Sequence, residues 1–224
     1  FTGHDVKADG LGMPKANMPR KRPDGKPMFA PQRPPLVTDR VRYVGDPVVM
    51  VIADTLAQAK DAADLVDIDY DPIPSVTLTE DTVKPGAPAV WDDCPDNISN
   101  SVERGNKAAT EEAIKSAAKV IKRRYVITRV HAQYMEPRGT LGTYDPGEDR
   151  MTLYADVQYP HRVRNMLAQN VFKVPESKMR VISGDVGGGF GTKGWQYIEH
   201  RLTLWAARKL LRPVKWTCER SEAV

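Results

Sequence analysis

The stretch of this chain whose residue types most plainly invite chemistry is "GDVGGGFGTKG", Gly184 to Gly194. From Gly187 to Gly191 every residue is glycine except Phe190. Glycine leaves the unfolded chain many conformations to lose, so such a run signals a backbone at positive φ or one pressed against a partner. Two phosphate cradles can be tested letter by letter. A Walker loop needs Gly directly before Lys and Ser or Thr directly after, whereas Thr192 precedes Lys193 and Gly194 follows it. A dinucleotide fingerprint starting at Gly187 and Gly189 needs Gly at position 192, which is Thr, and no βαβ unit with a downstream acidic residue frames it. Both cradles fail. A glycine-rich strand-to-helix turn without a ligand stays open on these letters alone.

Other chemistry-bearing residues are sparse. His4, His131, His161 and His200 show no metal-ligand spacing and no carboxylate cluster accompanies them, so a metal held by protein side chains is not expected. Cys94 and Cys218 supply neither a disulfide framework nor a cluster motif, a count compatible with a reducing compartment. By residue type alone, Gln158 in "DVQYPH" reads as a capping or surface residue and Glu136 in "MEPRG" as a buried structural carboxylate. His131 and Arg138 read as core or ion-pair residues. Trp195, Trp205 and Trp216 read as packing.

The elements that must position these residues alternate in type. "VRYVGDPVVMVIAD" (Val41 to Asp54) predicts strand, turn and strand, "TLAQAKDAADLV" a helix with Leu56, Ala59, Ala63 and Val66 on one face, and "VDIDYDPIP" a half-buried strand. Together they predict a small α/β layer over roughly 37–76. From Lys84 to Asn106 Pro, Gly, Asp and Asn crowd together, as in a linker. "TEEAIKSAAKVI" predicts a helix capped by Thr110, followed by a strand in "KRRYVITRV". "GTLGTYDPGEDRMTLYADV" is a hairpin turning at Asp145, Pro146 and Gly147. Pro160 opens a helix with Val163, Met166, Leu167 and Val171 along one stripe, and "KMRVISGDV" is the strand that delivers the glycine loop. A helix with Trp195, Ile198, Leu202, Trp205 and Leu210 inward follows, then a strand in "PVKWTCE". The loop is thus expected to share its site with a helix N-terminus, amides and dipole together.

The bulk properties bound the class. A chain of 224 residues has room for one large or two small domains. No run approaches the apolar length that spans a bilayer, and a soluble chain is expected. The net charge of +4 is spread along the chain except in the basic segment from Pro14 to Pro35. Its seven prolines break any recognition helix and Phe29 is its one aromatic, so a solvated surface loop is expected rather than a nucleic-acid arm. The opening "FTGHDV" lacks the features of a start or a leader, and a segment of a larger chain is expected.

"VRYVGDPVVMVIADTLAQAKDAADLVDIDYDPIPSV", "MEPRGTLGTYDP", "VQYPHRVRN", "VPESKMRVISGDVGGGFGTKG" and "RPVKWTCERSE" occur here in that order. In this the chain resembles the molybdenum-binding large subunits of the xanthine dehydrogenase, aldehyde oxidase and carbon monoxide dehydrogenase family. The resemblance implies an α+β fold: a small α/β hammerhead-type domain over 1–85, a linker over 86–107, and the first segment of a molybdopterin-binding domain over 108–224. It implies that Gly188, Gly189, Phe190 and Gly191 lie against a molybdenum–molybdopterin cofactor, in its cytosine dinucleotide form, and that Gln158 hydrogen-bonds an oxygen on the metal. The metal is then held by the pterin's sulfurs, which suits the lack of ligand spacing. The implied activity is that of a molybdenum hydroxylase, oxidising an aldehyde, an N-heterocycle or carbon monoxide with water-derived oxygen. Iron-sulfur clusters and FAD are implied on partner subunits or domains, in a cytoplasmic hetero-oligomer without nucleic acid or membrane. Gly194 stands where purine-oxidising relatives carry a substrate-binding Glu, which speaks against a purine. The family's general base falls beyond residue 224, so no catalytic residue is expected within the chain, and these residues alone are expected to be inactive. The competing reading is a non-catalytic anion-binding or subunit-docking module that uses the loop's amides without molybdenum.

Overall fold

The computed structural model describes residues 1–14, 18–128 and 130–223. In chain order its elements are α1 (Gly3–Ala8), α2 (Leu56–Asp64), α3 (Lys107–Ser116), β1 (Gly139–Asp145), β2 (Arg150–Ala155), α4 (Pro160–Met166), β3 (Met179–Ile182), α5 (Ile198–Leu210) and β4 (Val214–Thr217). Contacts divide the chain into two compact units. One comprises Phe1–Lys15, Gln32–Pro72 and Ala132–Val224, the other Ala16–Pro31 and Ile73–His131.

The first unit is built on a mixed sheet in the order β3-β2-β1-β4, with β2 and β3 parallel and the other pairs antiparallel. The β1–β2 hairpin closes where the sequence predicts. Asp145 Oδ1 accepts from the amides of Gly147 at 2.9 Å and Glu148 at 3.2 Å. Strand alternation in β2 sends Met151, Leu153 and Ala155 into a core with Val163, Leu167, Ala168, Val171, Met179 and Leu204. Pro160 occupies the first turn of α4, where its missing N–H leaves no bond unmade. The helix widens into a π-helical turn, Leu167–Phe172, and ends at Lys173 in the left-handed conformation. Helix α5 lies directly on β1, and Gly142 is what lets it. A Cβ there would sit 2.6 Å from the Thr203 carbonyl carbon. A second cluster joins α1 to α5 through Val6, Leu36, Leu202, Trp205, Ala206, Ala207 and Val214. The Trp205 indole N–H donates to Asp9 at 2.8 Å.

The predicted inward face of α5 holds for Leu202 and Trp205, with Ile198 partly buried, but Trp195 precedes the helix and, like Leu210, is exposed. The strands predicted in 41–54 and 66–74 do not form. Instead, the first segment pairs with the chain's beginning. The Met50 amide donates to the Phe1 carbonyl at 2.9 Å, and Val49 bridges Thr2. No residue of α2 is buried, and of its predicted apolar face only Ala59 is partly covered.

In the second unit, the segments read as a solvated loop and a linker pack on each other. Lys21 bridges both Pro27 and Ser101, the Phe29 amide donates to Ser99, and the Phe29 ring meets Trp91 edge-on at 6.4 Å. Arg22 donates to both carboxylate oxygens of Asp96, to Cys94 Sγ and to the Ile98 carbonyl. Helix α3 begins four residues earlier than predicted because Asn106, not Thr110, caps it, accepting from the Ala109 amide at 3.0 Å. Thr110 instead turns its hydroxyl back onto the Asn106 carbonyl. The strand predicted at 122–130 forms no ladder over its described residues, with Ile127 92% exposed; Arg129 lies outside the described residues.

Candidate cofactor-binding site

Two turns meet at the carboxyl ends of β2 and β3. After β2, the Val157 amide donates to Ser183 Oγ at 3.3 Å and the Ser183 hydroxyl returns a bond to the Val157 carbonyl at 3.0 Å, tying the turn to the segment that follows β3. The next residue is Gln158. Its amide donates to the Lys193 carbonyl at 3.0 Å, and its side-chain Oε1 accepts from the Gly191 amide at 3.0 Å. Since Oε1 must face that N–H, the carboxamide is fixed with Nε2 as a donor that meets no protein acceptor among the described residues.

The glycine loop curls over this side chain. Gly188 and Gly191 have φ of +94° and +95°, and Phe190 between them has +49°. Gly189 lies so close that a Cβ would stand 2.8 Å from Gln158 Oε1. The loop closes on itself where the Thr192 amide and hydroxyl both donate to the Gly189 carbonyl, at 2.9 and 2.6 Å. Among the described residues the amides of Gly188, Gly189 and Phe190 have no acceptor. Successive free amides in a loop of left-handed residues form a concavity that favours anions. The Phe190 ring, 76% exposed, projects beside it. A depression of about 370 Å³ adjoins, lined by Gln158, Tyr159, Pro160, His161 and Arg162. The Arg162 guanidinium lies 4.1 Å from the centre of the Trp195 ring, so Trp195 is a surface platform and not the packing residue the sequence suggests.

Gln158, Gly188, Gly189, Phe190 and Gly191, singled out in the sequence, therefore form one cluster. The helix dipole does not join it. A short 3-10 turn, Thr192–Gly194, intervenes, α5 starts only at Ile198, and its first turns are buried around His200 and Arg201. The sequence reading missed Lys193 and Asp156. Lys193 is 1% exposed and its ammonium pairs with Asp156 Oδ2 and, at 2.7 Å, with Glu136 Oε2. The same Glu136 oxygen accepts from the Gly187 amide at 2.7 Å. Burial pushes the Glu136 carboxyl up, but the bonds from Lys193 and Gly187 outweigh it and leave the pKa below the ordinary value. Glu136 is thus a structural carboxylate, as its sequence context suggests, but a partly exposed one rather than a buried one. Arg138 pairs with Glu199 at 2.9 Å and lies over the Tyr197 ring.

Among the described residues no three His, Cys, Asp or Glu side chains converge. The donor set at the loop consists of free amides and one carboxamide. It fits a group that brings its own metal ligands and its own negative charge, as a metal-bearing pterin phosphate does.

Comparison with known proteins agrees with that chemistry. A family model described as the molybdopterin cofactor-binding domain matches residues 90–224, and one described as the aldehyde oxidase and xanthine dehydrogenase a/b hammerhead domain matches residues 12–74. The chain belongs to the family of molybdopterin-binding large subunits that includes xanthine dehydrogenase, aldehyde oxidase and carbon monoxide dehydrogenase. Among its relatives, the nicotine 6-hydroxylase large subunit of Paenarthrobacter nicotinovorans is 38% identical over 189 residues, covering 84% of this chain and 23% of that protein. The carbon monoxide dehydrogenase large chain of Hydrogenophaga pseudoflava is 31% identical, covering 97% and 30%. The crystal structure of quinoline 2-oxidoreductase from Pseudomonas putida 86 matches with a TM-score of 0.88 at 31% identity, covering all of this chain and 27% of that one. The chain thus spans 23% and 30% of the lengths of these two curated relatives. The match also accounts for the α+β arrangement of mixed sheet and helices. No helix among the described residues is long and apolar enough to cross a membrane.

Proposed function

We propose that these residues form part of the large subunit of a molybdenum hydroxylase, and that Gln158, Gly188, Gly189, Phe190 and Gly191 hold its molybdenum–molybdopterin cofactor. The observation that carries this reading is the carboxamide of Gln158, locked by the Gly191 amide so that its Nε2 is left to donate beside the loop's free amides. When bound, the cofactor supplies the two-electron oxidation of the substrate with water-derived oxygen. The chain's own residues bind and orient. Gln158 Nε2 donates to an acceptor of the group, the amides of Gly188, Gly189 and Phe190 face its negative charge, and the Phe190 ring excludes water from one side. No residue of the chain is assigned as the proton-accepting base: Glu136 is engaged by Lys193 and Glu199 by Arg138.

The substrate class is an N-heterocycle, an aldehyde or carbon monoxide. The names of the nicotine and quinoline enzymes among the relatives support the first. Gly194 stands where purine-oxidising relatives carry an acidic side chain, and an added Cβ there would crowd the Tyr159 ring at 3.3 Å, which speaks against a purine. The cytosine dinucleotide form of the cofactor, iron-sulfur and FAD-bearing partners in a cytoplasmic hetero-oligomer, and domains at 1–85 and 108–224 joined through 86–107 complete the proposal. Matches at 12–74 and 90–224 support two domains, the second of them taking in most of 86–107.

The full-length subunit, purified from a host that makes the cofactor, should contain equimolar molybdenum. Gln158→Ala should lower turnover or metal affinity by about 10–100-fold, as loss of a contact behind the metal's own ligands does. Full turnover at full molybdenum content in that variant would remove Gln158 from the site.

A further inference from the structure

The loop's shape is set from beneath. Lys193 leaves the loop at its far end and buries its ammonium between two carboxylates, with the Tyr134 ring centre 4.9 Å away. One of them, Glu136, holds the near end of the loop through the Gly187 amide, and the Gly187 carbonyl accepts from the Glu136 amide at 3.4 Å. The other, Asp156, uses its second oxygen to accept from the Gly139 amide at 2.9 Å, at the start of β1. Both ends of the loop, the segment before β1 and the exit of β2 therefore converge on a single buried cation. Burial opposes the charge on Lys193, but the bonds to Asp156 and Glu136 prevail and its pKa stands above the ordinary value. A buried ammonium between two carboxylates cannot leave without exposing uncompensated charge, so the node has one strongly preferred geometry.

We infer that Lys193 and Glu136 are positioning residues that lock the glycine loop, from Gly187 to Gly191, into the shape that presents its free amides and Gln158 to the cofactor. This rests on the cofactor reading above for what is presented, but not for the lock itself. Neither residue touches the concavity. They act through Gly187 at one end and, at the other, through the Lys193 carbonyl that accepts from the Gln158 amide.

The experiment is hydrogen exchange at Gly187 and Gly191 together with molybdenum and pterin content, in the full-length subunit carrying Glu136→Ala, Glu136→Gln or Lys193→Met. Glu136 is partly exposed, so its variants should fold. Glu136→Ala should speed exchange at Gly187 and lower cofactor affinity, each by on the order of 10-fold or more. Glu136→Gln, whose carbonyl oxygen still accepts from both Gly187 and Lys193, should recover most of both. Lys193→Met should show the larger loss at both ends of the loop if it folds. Wild-type exchange and loading in Glu136→Ala overturn the inference, as does failure of Glu136→Gln to outperform it. If the wild-type subunit holds no molybdenum, the cofactor reading fails, and the exchange response of the Glu136 variants alone decides whether the lock exists.

Discussion

Phe190 holds a left-handed backbone with its ring largely in solvent, a conformation that costs a non-glycine residue about 1–3 kcal/mol and is repaid by no burial. Strain without packing is what a ligand-facing position shows. Phe190→Gly should therefore leave the melting temperature unchanged or raised while lowering molybdenum content; a lower melting temperature with full loading would make the ring a packing element. Gly189 makes the complementary case. A side chain there would strike Gln158, whereas at Gly184 it would meet nothing within 4 Å and the backbone is unstrained, so Gly189→Val should lose cofactor and Gly184→Val should not. Equal cofactor content in the two variants would mean the loop is only a turn. The glycine run and Phe190 stood out in the sequence because such a run is unusual, whereas Gln158 was singled out by the family resemblance alone, its type suggesting only a capping or surface residue. Lys193 and Asp156 were not: buried charge is recognisable only by its partners, and Glu136 lies 57 residues from Lys193 in the chain.

The elements with strong local signals formed as read. Asp145 and Gly147 close the hairpin, Pro160 starts α4, and periodic apolar residues bury much of α5. The alternating residues at 66–74 and the segment 122–130 read as strands, but their described residues found no neighbour, because a strand signal states a preference for a ladder and cannot supply the other half. The predicted helix dipole at the loop failed for a local reason: three residues of 3-10 turn and the extended Trp195–Tyr197 postpone α5. At the start of α5, fully buried His200 accepts from the Tyr197 amide at 3.2 Å, and burial, with Arg138 and Arg201 nearby, lowers its pKa to about 3. The unfolded chain binds this proton near the ordinary value of 6.5 and the folded chain does not. Stability should thus be unaffected above that value and fall as pH drops from it towards 3, by at most ~1.4 kcal/mol per pH unit. Denaturant titrations across that range should show a shallower fall in His200→Gln than in the parent; equal slopes would assign the acid sensitivity to other groups.

At the scale of the whole chain, composition was a poor guide to order. The basic, proline-rich segment is mostly exposed, as its composition suggests, yet it and the stretch after Lys84, which looked like a linker, hold each other in place. Their sequences lack periodicity because irregular chain held by side chains has none to show; Arg22, Asp96 and the Phe29–Trp91 pair do the holding. The converse also holds. Val120, Ile121, Tyr125, Val126 and Ile127 are all exposed, so residues 1–224 produced alone should self-associate, and Ile127→Lys should lower the association measured by light scattering. A monodisperse unsubstituted chain would contradict this. The Arg22 clasp has a consequence for proteolysis. Trypsin can cut after Arg20 and Lys21 only if the bridges from Lys21 to Pro27 and Ser101 open, whereas the bonds after Lys122 and Arg123 lie in exposed chain that no ladder protects. A limited digest should therefore cut the second pair first, although all four side chains are exposed, and Asp96→Ala, by releasing Arg22, should bring the first pair level with it.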